Sequence, residues 1–392
     1  MKFALVSNPL PPSASGQAMV IYRLLKSLSP RDYCLISQFN YNADAASNNY
    51  SRKLSGKYYQ LSSRFLIPRG HSFKSVQRAN IRLGIAAYSK QIADIVRREN
   101  CGAIVACTDD LLHLPAARRA SQMAKVPFYA YIFDDYSTKW LEPVALSFAQ
   151  QAEPLLLKSA AGIIVPNEFM RDELRRRYKV EAAVIHNPCD LSEYEELTNN
   201  DALVETDGEI KIVYTGSIYD AHHDAFQNLI AAIKLLRQPN IKLHLYTNQL
   251  PGELEKKGIC GPVIYHAQES VFAMPRIQKQ ANLLFLPLAF ASPYPEVVRT
   301  SAPGKMGEYL AARRPVLVHA PPRSFVAWYF RQHECGMVVD ESDPAKLAQA
   351  IKQIITDANL QRRLALHAWE QAQADFSILV AQAAFAALMK LT

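Results

Sequence analysis

Short apolar runs alternate with stretches of helical period through most of this chain, and the alternation happens twice, on either side of one polar, acidic segment. Apolar runs without a polar partner suit strands covered on both faces. Strands of that kind separated by helices pair in parallel through crossovers. In the first round residues 2–7, 103–107, 128–133 and 162–166 read as strands, and residues 17–29 as a helix with Val20, Ile21, Leu24, Leu25 and Leu28 on one face. Residues 40–69 show no clear period and read as a long irregular insert. The polar stretch at 191–209 reads as a linker. In the second round residues 210–214, 242–246, 263–266, 283–287 and 316–319 read as strands, and residues 225–236, 271–280, 344–356 and 360–374 as helices, with a further helix opening near Lys305. The segment 377–391 reads as an amphipathic helix. The fold class this implies is α/β, with two doubly wound halves and the default ligand site beyond the carboxyl ends of their strands.

Size and composition agree. A chain of 392 residues is longer than one hydrophobic core usually serves. No apolar run approaches the roughly 18 residues a spanning helix needs, and the apolar start at residues 2–7 is too short for a secretory signal. The six cysteines are scattered without a C-x-x-C pair, which fits reduced thiols in a cytoplasm. Charge is uneven: residues 52–98 hold eleven Lys and Arg against one acid, Asp94, in a chain of net charge +8. Interleaved aromatics and a DNA-binding motif are missing, so no nucleic acid is expected. An anionic membrane surface, or a phosphorylated acceptor, suits the patch, as does a merely solvated basic face.

The segment richest in chemistry is residues 301–318, SAPGKMGEYLAARRPVLV. Pro303 and Gly304 read as the start of a helix, where free N–H groups and the positive dipole end favour an anion. Lys305 in the first turn opposes the dipole, so a ligand accounts for it better than helix stability does. Glu308 lies on the same face and can accept from a diol. Diphosphate on Lys305 and ribose on Glu308 would suit a nucleotide sugar; an ordinary amphipathic helix is the plain alternative. Asp134 and Asp135, in Phe133-Asp-Asp-Tyr136, stand at a strand end, and alternation of faces lets one of them act as general base or hydrogen-bond partner. The loop of residues 11–18 is too poor in glycine for a dinucleotide fingerprint; Ser15, Gly16 and Gln17 either contact a ligand or, for Ser15, cap the first helix. The adjacent His222 and His223 read as a polar surface turn rather than metal ligands, and neither a metal nor a cofactor is expected.

The 301–318 block resembles the donor-binding segment of retaining glycosyltransferases of the GT-B fold, in particular family 4 of the group 1 enzymes. Residues 161–174 with 184–190, and 212–217, resemble the same family. The resemblance implies two Rossmann-like domains facing a central cleft, an acceptor-binding one at 1–195 and a donor-binding one at 205–376, with a helix at 377–392 crossing back onto the first. It implies transfer, with retention, from a nucleotide-diphosphate sugar (UDP- or GDP-linked) to an acceptor that is lipid-linked or polymeric. The setting would be cell-surface polysaccharide or glycoconjugate synthesis, in the cytoplasm or on the inner membrane face. Donor contacts would come from Gly216, Ser217, Ser301, Pro303, Gly304, Lys305 and Glu308. Two departures stand out: Thr300 replaces the first acid of the family's Glu-x7-Glu pair, and His222 and His223 stand where a basic residue for the diphosphate is expected, leaving Arg299 as its replacement. A nucleotide-sugar epimerase or hydrolase on the same scaffold, or a non-catalytic binding relative, is the alternative function.

Overall fold

The computed structural model of the chain describes residues 1–13, 15–42, 52–63, 73–195, 208–267 and 269–390. They form two compact units, Met1–Pro188 with Ala381–Thr392, and Cys189–Val380. The first is built on β1 (Phe3–Val6), β2 (Tyr33–Ser37), β3 (Lys57–Gln60), β4 (Ala103–Cys107), β5 (Phe128–Tyr131), β6 (Gly162–Val165) and β7 (Ala183–Val184). Their order is β3-β2-β1-β4-β5-β6-β7, and the pairs at the sheet's centre are parallel. Successive β1 side chains go to opposite faces. Phe3 and Leu5 join one core and Ala4 and Val6 another, which is why this strand is apolar without alternation.

Two stretches differ from the sequence reading. The supposedly irregular insert contains β3, an edge strand whose Lys57 and Gln60 are exposed while Tyr58 is buried, too short and polar at both ends to show a period. The rest of that insert, at 43–51 and 64–69, lies outside the described residues, as do 196–207 of the linker. The helix Lys74–Arg98 packs Ile81, Gly84, Tyr88, Ile92 and Val96 inward at three- and four-residue spacing. Its basic residues are not one continuous patch with the rest of 52–98. Arg52 is buried, and Lys57 pairs at 2.9 Å with Glu99, one residue past the helix. Lys74, Arg78 and Arg82 form an exposed stripe at helical spacing, beside exposed Phe73 and Leu83, and Lys90, Arg97 and Arg98 are exposed farther along the helix.

The second unit has β8 (Ile210–Thr215), β9 (Ile241–Tyr246), β10 (Val263–His266), β11 (Leu283–Pro287), β12 (Val316–His319) and β13 (Met337–Val339), in the order β10-β9-β8-β11-β12-β13. Its winding repeats that of the first: the chain moves outward one way from the central strand, then returns and moves outward the other way. The strand order therefore reverses between β1 and β4 in one unit and between β8 and β11 in the other, the places where such sheets bind ligands. The last helix, Ile378–Met389, serves the first unit from residue 381 on. Its Phe385 ring meets Phe3 of β1 edge-on at 5.6 Å between centroids, and Gln382 Nε2 donates to the carbonyls of Arg23 and Leu24 at 3.2 and 3.1 Å.

Candidate active site

At the second unit's switch point the chain leaves β8 through Gly216, whose φ of +117° is a conformation side chains rarely adopt. A Cβ there would also stand 3.3 Å from Cε and Nζ of Lys305. Lys305 Nζ donates to Tyr214 Oη at 3.2 Å and lies 4.7 Å from the centroid of that ring. Tyr214 in turn donates to the Ser217 carbonyl at 2.7 Å. Gly216, Ser217 and Lys305, far apart in sequence, are thus one constellation.

The helix after Lys305 is shorter than the sequence reading implies. It spans Met306–Ala311, with Lys305 at the N-cap position rather than in the first turn. Met306 N–H already donates to Pro303 O at 2.9 Å, and six residues sum few peptide dipoles, so the positive character here belongs to the Lys305 ammonium. Pro303 and Gly304 form the half-buried approach to it. Ser301 ends the preceding helix, Pro295–Thr300, on which Arg299 pairs with Glu296 at 2.9 Å and the buried Thr300 hydroxyl donates to the Glu296 carbonyl at 3.1 Å. Glu308 is half-buried, and its Oε2 accepts from Gln278 Nε2 at 3.3 Å. The same nitrogen reaches Thr215 Oγ1 at 3.2 Å, and Gln278 Oε1 accepts from Tyr194 at 2.6 Å. The two histidines do not form a surface turn. His223 is half-buried and pairs with Asp220 at 3.3 Å, whereas His222 is buried, and burial, then Lys305 and His223, depress its pKa to about 3.

In the first unit Ser15 Oγ accepts from Ala18 N–H at 3.2 Å and caps the helix Gly16–Leu25, the capping alternative of the two. A Cβ at Gly16 would meet nothing within 4 Å. Gln17 Nε2 donates to Ser7 Oγ at 2.9 Å, just past β1. The expected strand 128–133 ends at Tyr131, so Asp134 and Asp135 occupy the turn after β5, not alternate faces of a strand. Thr108 Oγ1 holds that turn by accepting from the N–H groups of Phe133 and Asp134 at 2.8 and 3.3 Å. Asp135 is buried with both oxygens engaged: Oδ1 accepts from Ser137 N–H and Oγ at 3.0 and 2.9 Å, and Oδ2 pairs with Arg177. Arg177 also meets Glu153 at 3.3 Å and Glu173 at 3.0 Å. Asp134 is exposed. Its dense surroundings raise its carboxyl pKa, with Asp135 adding and Lys139 opposing, but they act on a group that solvent still reaches.

Sequence reading missed the polar cluster at the first switch point. Asp109 and Asp110 follow β4 directly. Asp109 Oδ2 accepts from Ser7 Oγ at 3.1 Å and from Asn8 N–H, and Oδ1 lies 3.1 Å from His113 Nδ1. Asp110 Oδ1 accepts from the N–H groups of Leu112 and His113 at 2.9 and 2.7 Å, and Oδ2 from Gln38 Nε2 at 2.6 Å. Burial alone would lower the His113 pKa, but the two carboxylates outweigh it and raise the value. Burial, joined by Asp109, pushes Asp110 up against the pull of His113. The ligand atoms of these three lie within 4.8 Å of one another. A pair of acids after a buried strand, with His at i+3 and i+4, was the available signal; Ser7 and Gln38 give none.

Two family models match the chain in succession, "Glycosyltransferase Family 4" over residues 14–193 and "Glycosyl transferases group 1" over residues 209–357. No curated protein matches it in sequence. Among solved structures, sucrose-phosphate synthase of Thermosynechococcus elongatus is similar at a TM-score of 0.71 and 16% identity, covering 100% of this chain and 98% of its own. HepE of Anabaena, solved in complex with UDP and glucose, is similar at 0.70 and 15%, covering 100% and 99%. A glycosyltransferase from Rickettsia africae is similar at 0.70 and 12%, covering 100% of both chains. At these identities the structures speak for the GT-B fold alone, two Rossmann-like α/β halves, and the matched models speak for the lineage. With one model on each half, on either side of the polar segment, the chain belongs to the group 1, family 4 glycosyltransferases.

Proposed function

We propose that this glycosyltransferase draws its sugar from a nucleotide-diphosphate donor held on the second unit, and that the close approach of Lys305 to Gly216 marks the diphosphate subsite. A bare backbone turn beside one ammonium gives a diphosphate room and charge, as does the position at the end of β8. As the glycosidic bond breaks, the leaving diphosphate gains negative charge, which a preorganised cation stabilises more in the transition state than in the ground state. Glu308, oriented by Gln278, receives the ribose diol. Ser217, Ser301, Pro303 and Gly304 complete the donor contacts, and Arg299, which pairs with Glu296, adds a phosphate contact. UDP is the nucleotide to try first, because HepE was solved with it.

On the first unit the acceptor hydroxyl meets Asp134, the carboxylate of the pair that solvent reaches, with Gln17 and the Asp109–His113 cluster shaping the rim. Attack from the leaving-group face would give retention without a protein nucleophile. The stripe of Lys74, Arg78 and Arg82 with Phe73 suits an anionic leaflet carrying a lipid-linked or polymeric acceptor, in cell-surface polysaccharide or glycoconjugate synthesis. The observation that carries the donor reading is the Lys305–Gly216 contact, and calorimetry tests it. Lys305→Ala should weaken UDP or GDP binding by about 1.5–3 kcal/mol with the melting temperature unchanged. An unchanged affinity would remove the assignment.

A further inference from the structure

The diphosphate reading leaves one neighbour of Lys305 without a role. His222 stands at the N-cap position of the helix His223–Leu236, in the turn that follows β8. It is 2% exposed, and its Nδ1 is buried without a hydrogen-bond partner. Leaving a buried polar atom unpaired is costly, and such atoms call for an explanation. The ring packs on Tyr219 at 4.2 Å between centroids and edge-on to Tyr214 at 6.1 Å, the tyrosine whose hydroxyl and face hold Lys305. The other charged or titratable groups around it are His223 and Asp224 of its own helix and Asp220 of the turn. Asp224 Oδ2 is taken by the N–H groups of Phe290 and Ala291 at 2.9 and 2.7 Å while its Oδ1 is buried without a partner, and Asp220 pairs with His223. Among these charges Lys305 acts most strongly on the ring, and it repels a proton on His222.

We propose that His222 is the second cation of the diphosphate site and becomes one only when the ligand arrives, taking a proton from solvent as the diphosphate settles beside Lys305. This rests on the diphosphate reading of Gly216 and Lys305. In the free protein the ring is neutral, held so by burial and by Lys305. Each opposite charge within about 4–6 Å raises a histidine by roughly 1–3 pKa units, and a diphosphate brings two, while its oxygens supply the acceptor that Nδ1–H needs. One proton is bound with each ligand and no other bond changes. A permanently charged residue at this position would repel Lys305 in the empty site; a histidine avoids that repulsion until the anion arrives.

The test is calorimetric titration of the full chain with UDP, and with GDP in parallel, at pH 6 in buffers of different ionisation heat. Wild type should take up more protons per nucleotide than His222→Gln, and the difference between the two proteins cancels the nucleotide's own ionisation. Wild-type affinity should also tighten from pH 8 to pH 6, by at most tenfold per unit, whereas protonation of the nucleotide's phosphate acts in the opposite sense. Equal proton counts in the two proteins overturn the role of His222 and leave the diphosphate site standing. So does a wild-type affinity that is flat or weakens toward pH 6, a result that needs no variant to fold. A wild-type chain that binds neither nucleotide overturns the diphosphate reading and the His222 proposal with it.

Discussion

The two switch points of this molecule are wound alike and furnished oppositely. Beyond β1 and β4 the chain places half-buried Asp109 and Asp110 and buried His113 in a hydrogen-bonded cluster, with Asp134 exposed nearby. Beyond β8 it places a glycine turn, a lysine and a neutral histidine with an unpaired nitrogen. One end is rich in carboxylates; the other carries an ammonium. The first is satisfied by its own residues before any substrate comes, while the second holds one charge and one polar atom in waiting. Repetition of a fold has thus fixed where the two sites are, and the residues at each strand end fix what each can do.

Four variants would break or sharpen this contrast. The largest effect belongs to the acid-rich half. Arg177→Met strands Asp135 and Glu153 without their cation and leaves Glu173 to Arg176, and removing one partner of a buried ion network costs about 3–5 kcal/mol. Urea unfolding should show the loss, with UDP affinity in the second unit retained; equal damage to both would mean the halves are not separable in this way. Next, Asp134→Asn should slow sugar transfer by about a hundredfold, the lower range for a missing general base. Nucleotide binding should be untouched, and a variant transferring at the wild-type rate would remove Asp134 from the acceptor side.

Glu99→Gln follows, at about 2 kcal/mol. This buried carboxylate, near the amino end of the first sheet, is held down to about 2 by Lys2, Tyr59 and Lys57. Lys57 is largely exposed, so part of that shift is screened. Because the folded value lies below the ordinary 4.5, the stabilisation is complete above that pH and is lost as pH falls toward 2. Stability of the wild type should therefore drop across this window more steeply than that of the variant; parallel curves would assign the cluster no such weight. Smallest per residue, reversing Lys74, Arg78 and Arg82 to Glu should cost vesicle binding by about 1 kcal/mol for each position. Sedimentation with phosphatidylserine vesicles measures it, and binding that survives the reversals and high salt would make the stripe only a solvated face.

What the sequence disclosed follows from how each part is made. Runs such as Leu283–Pro287 and Val316–His319 are buried on both faces, so their own residues announce them, and their ends match the reading. Lys305 and Gly216 could each be singled out from a neighbouring motif. Their contact could not, because it depends on how β8 and the segment before Met306 meet in space. The Asp109 cluster was less legible still: only His113 lies close to the acids in sequence, and its partners Ser7, Asn8 and Gln38 come from other parts of the chain. His222 was misread because two adjacent histidines look hydrophilic on paper, while one of them turns inward beneath Tyr219.

The return of the last helix to the first unit has a consequence for how the protein is made. Phe3 leaves the ribosome long before Phe385, and its ring waits for that partner. The second unit, continuous from Cys189 to Val380, can close while the final segment is still being synthesised. The first unit, though begun earlier, keeps one face of β1 uncovered until the helix Ile378–Met389 has been made. The half that starts first therefore finishes last, and a nascent chain stalled before residue 381 should expose apolar surface on its older half.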